Sequence, residues 1–141
     1  MNLENNWFVK ENSKEIEVLK IDIYDFLNDS LIPYNEFITF LDWSNIDNSF
    51  ENYYDFINNE TIIRNALIKS QLNKFEKLII HIEYDAKLIR VNTDFFVNNW
   101  SKFNACNGFT GFVVFTDDKK IFLEFSDDSK SLLYSNFKII F

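Results

Sequence analysis

Two apolar runs joined by a short polar turn constrain this fold most. Phe112 to Phe115 and Ile121 to Phe125 are made largely of aromatic and β-branched residues, with Asp117-Asp118-Lys119 between them, and together they predict a β-hairpin. A lone hairpin is marginal in water, so its apolar face needs a cover. The cover is legible just upstream. Thr93 can cap a helix running to about Phe103, and Phe96, Trp100 and Phe103 fall at i, i+4 and i+7 on one side of it. Asn107-Gly108 then supplies a stop. Stripe and hairpin predict a shared core of Phe96, Trp100, Phe103, Phe112, Val114, Ile121, Leu123 and Phe125.

More strand signal lies on either side. In Lys77 to Tyr84, Leu78, Ile80 and Ile82 alternate with Ile79, His81 and Glu83, the period of a strand. Leu88 to Val91 reads as its return after the turn Tyr84-Asp85-Ala86-Lys87, and Phe137 to Phe141 reads as a last strand. The first half gives mainly helical signals. Glu15 to Asp22 fits a strand or the start of a helix equally. Pro33 suits the first position of a helix over Tyr34 to Leu41. Ser49 is a candidate N-cap for Phe50 to Ile57, and Asn59 for Glu60 to Asn73, where Ile63, Ala66, Leu67 and Ser70 share a face. With 141 residues, only 2 Gly and 1 Pro, no linker breaks the chain. The expectation is an α+β fold in one domain, residues 1–141: a helical N-terminal half packed on a small antiparallel sheet, with one further amphipathic helix.

Charge divides the chain. Residues 1–63 hold 13 acids and 3 bases, −10, whereas residues 64–141 hold 9 acids and 11 bases, +2, giving the net −8. From Ile21 to Ile63 there is no Lys or Arg, against nine acids. Surfaces built only for solubility generally mix signs, so a one-sign field of this length points to steering of a cationic partner. A phosphate backbone would be repelled, which argues against nucleic-acid binding. Tyr and Trp interleaved with these acids suit a binding surface, in which rings anchor and charges steer. The candidate partner-binding residues are Asp42, Trp43, Asp47, Glu51, Tyr54 and Asp55.

Catalytic and cofactor signals are missing. His81 is the single histidine, placed in a strand and expected on a partly exposed face. Cys106 is the single cysteine and has no neighbouring base. One His and one Cys cannot make a His/Cys zinc site, and two glycines cannot build a phosphate-binding loop. Asp117-Asp118 and Asp127-Asp128 fit turn chemistry better than a cation site. Trp100, on its helix's apolar face, is expected in the core. No catalytic residue, metal ligand or cofactor is therefore assigned. No apolar run reaches the roughly 20 residues of a membrane helix, and the first residues lack a signal-peptide pattern, so a cytoplasmic location is expected.

In its size, acidity and helix-plus-antiparallel-sheet make-up the chain resembles the immunity proteins of bacterial toxin systems, including contact-dependent growth inhibition and other polymorphic toxins. The segments most like that type are Ile89 to Phe96 and Phe122 to Asp128. The resemblance implies a non-enzymatic antitoxin whose partner is a cognate basic toxin, often a nuclease with a positively charged substrate groove. Two alternatives remain at this level. One is a carboxylate-based enzyme, with or without a divalent cation; the other is an acidic nucleic-acid mimic that inhibits a DNA-binding protein.

Overall fold

The alternating runs of the second half become the centre of one sheet. A computed structural model of the chain describes residues 3–35, 38–55, 58–82, 85–127 and 131–141. Its strands are β1 (Glu17–Asp22), β2 (Phe50–Tyr53), β3 (Lys77–Ile82), β4 (Lys87–Asn92), β5 (Phe112–Thr116), β6 (Phe122–Asp127) and β7 (Ser131–Ser135). They form a seven-stranded sheet in the order β1-β4-β3-β5-β6-β7-β2. Every neighbouring pair is antiparallel. The helices are α1 (Trp7–Glu11), α2 (Ile23–Leu27), α3 (Glu60–Lys69) and α4 (Thr93–Ala105).

Both faces of the sheet are covered. One carries Leu78, Ile80, Val91, Phe112, Val114, Leu123 and Phe125, in the larger core cluster with residues of α1, α3 and α4. Trp100 is fully buried there, its ring stacked on Phe125 at 5.2 Å and its indole N–H donated to the Glu60 carbonyl at 3.1 Å. All eight residues of the expected shared core lie in this cluster. The opposite face carries Ile79, Val113, Phe115 and Phe122, covered by Ile23, Phe26 and Leu27 of α2 and by Phe40, Leu41 and Trp43. Gly111 starts the central hairpin at φ 95°, and a Cβ there would run into the Phe125 carbonyl oxygen, so this position demands glycine.

The first half differs from the sequence expectation. The architecture is a seven-stranded sheet covered on both sides, not a helical half on a small sheet, and the N-terminal half supplies both edge strands. Glu17–Asp22 is a strand, β1, against β4. Phe50–Tyr53 is not a helix but β2, paired residue for residue with β7. Sheet hydrogen bonds to a strand about eighty residues away override the local cap signal of Ser49. The described part of Tyr34 to Leu41 is not helical either. Tyr34 and Leu41 form an isolated bridge, and Asp42 donates its N–H to the Pro33 carbonyl, closing a loop. Glu36 and Phe37 fall outside the described residues, as do Phe56, Ile57, Glu83 and Tyr84. The third helix ends at Lys69, four residues early, because the Ser70 hydroxyl accepts from Leu72 N–H and opens a separate 3-10 turn. The last strand is β7 rather than Phe137 to Phe141, which follow it outside the sheet while burying Phe137 and Ile139.

A short helix unforeseen in the sequence, α1, is held by Asn6. Its Oδ1 accepts from Phe8 and Val9 N–H, and its Nδ2 donates to the Cys106 carbonyl at 2.9 Å. This ties the N-terminal segment to the end of α4.

Candidate functional site

The central feature of the second face is a row across the sheet. His81, Val113, Glu124, Tyr134 and Glu51 are successive cross-strand partners on β3, β5, β6, β7 and β2. Glu124 is 4% exposed, and its carboxylate accepts from Phe40 N–H at 2.7 Å, Leu41 N–H at 3.0 Å and Trp43 Nε1 at 2.9 Å. A buried carboxylate is tolerated where several donors converge on it. Here the donors come from the loop over the sheet, so Glu124 fixes the loop's backbone and orients the Trp43 ring. That ring stacks on Tyr134 at 5.4 Å. His81 is buried rather than partly exposed as expected, with its ring edge-on to Phe40 at 4.8 Å.

Beside this row lies a cleft of about 480 Å³, bounded by Ile38, Asp42, Trp43, Ser49, Glu51 and Tyr134 among others. Asp42, Trp43 and Glu51 from the candidate binding set are thus brought together. Asp42 accepts from Asn45 and Ser44, bonds that hold its carboxyl below the usual range. The Tyr134 hydroxyl is pushed above its ordinary value, first by burial and then by the Glu51 and Glu124 charges, as expected of a ring set in a negative field. Asp47 is exposed, and Asp55 accepts from Asn58. Trp43 and Tyr54 are only 7% and 1% exposed, so neither is a surface anchor. Tyr54 belongs to the opposite face, edge-on to Trp100 and Phe125. Exposed apolar groups near the acids include instead Tyr24, Leu31, Tyr34, Ile38 and Tyr53. Tyr34 stacks on Phe40 at 5.6 Å and meets Tyr24 at 5.9 Å, so these rings rest on the loop that Glu124 fixes.

Some of the acidity has local work. Asp22 caps α2 by accepting from Asp25 N–H at 2.8 Å. Asp25 and Asp29 remain exposed on the same layer. A cation from the second half also reaches it: Lys119, 4.5 Å above the Phe26 ring.

A larger cleft of about 730 Å³ lies where α4 begins, among Glu15, Asn73, Glu76, Asp94, Asn98 and Asn99. It offers amide and carboxylate hydrogen bonding. Among the described residues, no group of three or more His, Cys, Asp or Glu is placed to hold a metal ion. Asp118 serves its turn, accepting from the Thr116 hydroxyl and Lys120 N–H, while Asp128 lies outside the described residues. No described helix is long and apolar enough to cross a membrane.

Cys106 is buried, and burial pushes its thiol up to about 12. A disulfide-type thiol reagent at pH 8 should therefore leave it unmodified until denaturant is added; rapid labelling of the folded chain would contradict the burial. Because the folded value is raised, this group stabilises the fold fully below its unfolded value near 9, and the contribution fades as pH climbs toward 12. Relative to Cys106→Ala, the parent should lose up to about 1.4 kcal/mol per pH unit across that window.

Comparison with known proteins gives no family model, curated protein or solved structure that matches this chain.

Two residues of this site lie outside the set the sequence suggests. A glutamate between Leu123 and Phe125, in the otherwise apolar run Ile121 to Phe125, is the available signal for Glu124. Tyr134 carries none, since its role depends on the register that sets it beside both Glu124 and Glu51.

Proposed function

We propose that the protein is a cytoplasmic immunity protein that binds and neutralises a cognate basic toxin of the contact-dependent or polymorphic type, with a nuclease domain as the expected partner. The proposal assigns the chain no catalytic role. One observation carries it: exposed aromatic and aliphatic groups, Tyr24, Leu31, Tyr34 and Ile38, share a layer with Asp22, Asp25, Asp29 and Asp42 in a segment without a single Lys or Arg. Apolar groups give contact area and the acids give attraction to a basic groove. The layer is backed by the sheet, so the surface is largely preformed.

The test is binding kinetics against the toxin-like product of a neighbouring reading frame at several salt concentrations. The association rate should fall as the Debye length shortens from about 10 Å at 0.1 M. Asp47→Lys and Glu51→Lys together should lower that rate roughly tenfold at low salt and flatten its salt dependence. Tyr34→Ala should act mainly on dissociation. Salt-insensitive affinity, with normal binding by a folded charge-reversed variant, would refute the proposal.

A further inference from the structure

The two edges of the sheet are built differently. The pairing of β1 with β4 breaks register between Val18 and Asp22, and β1 carries Lys20 and runs directly into α2. A register break, a lysine and a covering element are standard protections against another strand. By contrast, β2 pairs with β7 through four uninterrupted partners and contains no Lys and no Pro. No described strand lies beyond it.

The register fixes which backbone groups β2 presents outward. Tyr54 N–H donates to the Ser131 carbonyl at 3.1 Å, so Tyr54 and, by alternation, Asn52 and Phe50 turn their backbone groups toward β7. Glu51 and Tyr53 therefore turn theirs away from it. The next residue in that series, Asp55, already gives its N–H to Asn59 Oδ1 at 2.7 Å, which bounds the open edge. The Glu51 side chain lies beside Tyr134 on the face that holds the 480 Å³ cleft. Tyr53, two residues on, shares that face and is 68% exposed.

We propose that β2 takes an extended basic segment of the partner protein as an added antiparallel strand, with an arginine or lysine opposite Glu51 seated in the cleft between Glu51, Asp42, Trp43 and Tyr134. Charge selects this occupant. The cleft is lined by two carboxylates, Asp42 and Glu51, and by two rings stacked on each other, Trp43 and Tyr134, and both kinds of group favour a cation. An added residue paired with Glu51 projects its side chain to the same face, directly beside the carboxylate. Main-chain bonds would supply attachment and the cleft would supply selectivity. The inference rests on the toxin-binding reading only for the identity of the partner.

The probe is a blocked pentapeptide of alternating valine and arginine, titrated into the isotope-labelled full chain. The amide signals of Glu51 and Tyr53 should shift, and their hydrogen exchange should slow at least tenfold at saturation. A valine–glutamate peptide should leave both unchanged. Methylating the arginine backbone nitrogens should abolish binding, because in antiparallel pairing those N–H groups face β2; methylating the valine nitrogens should not. Equal loss from both methylation patterns, or shifts confined to other residues, overturns the site. On the protein side, Tyr53→Pro removes an N–H that takes no part in the β2–β7 ladder, and Tyr53→Ala removes the same ring but keeps that donor. Tyr53→Pro should bind the arginine peptide at least tenfold more weakly than Tyr53→Ala; equal binding overturns the proposal. Salt-dependent toxin binding without a peptide response at Glu51 and Tyr53 would sink the edge site and leave the immunity reading standing. A peptide response with no toxin bound would do the reverse.

Discussion

Trp100→Ala should lower the stability of the fold by about 3–5 kcal/mol, the usual effect of removing a large buried ring. The side chain is fully buried where α3, α4 and the sheet meet. Its ring contacts Phe125 and Tyr54, and its N–H satisfies the Glu60 carbonyl in the first turn of α3. The substitution therefore opens a cavity and removes a hydrogen bond between two helices. For a chain of this length the melting temperature should drop by roughly 10–20 °C. Chemical denaturation of parent and variant measures the difference. A variant that melts within about 1 kcal/mol of the parent would mean that the ring does not pack as described. Trp100→Phe, which keeps most of the ring contacts, should recover more than half of the loss.

That core was legible in the sequence because each of its signals is local. The stripe of Phe96, Trp100 and Phe103 and the alternation of Phe112 to Phe125 need no knowledge of distant residues. The failures fall where a distant partner decides. Phe50–Tyr53 carries a cap-like serine before it and acids within and after it, which suit a helix start, yet β7 makes it a strand. Tyr34 to Leu41 has helical spacing after a proline, yet its backbone donors at Phe40 and Leu41 are taken by Glu124 more than eighty residues away. No window of ordinary length contains both partners of either interaction.

The candidate site was legible in the same uneven way. Charge is additive along the chain, so the acidic segment could be read directly, and three of its residues, Asp42, Trp43 and Glu51, do border one cleft. Exposure is not additive in that way. Trp43 and Tyr54 sit among carboxylates in sequence, but one ring lies under the loop on one face of the sheet and the other is in the core on the opposite face. The burial of Trp43 gives it a different part in any interface. It stacks on Tyr134, and the two rings line the cleft together with Glu51. Mutations at Trp43 should therefore alter binding through the geometry of the cleft and the stability of the loop together.

Glu124→Ala should be the second strongly destabilising change, and its effect should be concentrated on one face. The substitution leaves Phe40 N–H, Leu41 N–H and Trp43 Nε1 without their common acceptor in a site closed to solvent. An unsatisfied buried donor costs roughly 1–3 kcal/mol, and these three act as a unit, so a loss of about 3–5 kcal/mol is expected. Its three donors, Phe40, Leu41 and Trp43, belong to the loop and not to the helices on the far face, so the loop depends on it. Hydrogen exchange should therefore accelerate first at Phe40 and Leu41, and the Trp43 indole signal should move toward its solvent-exposed position, while Trp100 stays protected. Glu124→Gln retains one acceptor oxygen but turns an amide donor toward the remaining N–H groups, so it should fall between parent and alanine. Because Tyr34 and Tyr24 rest on Phe40, the loosened loop should also blur the exposed aromatic surface and weaken the proposed toxin binding beyond what lost charge explains. Uniform loss of protection over both faces, or unchanged exchange at Phe40 and Leu41, would show that the carboxylate does not hold the loop.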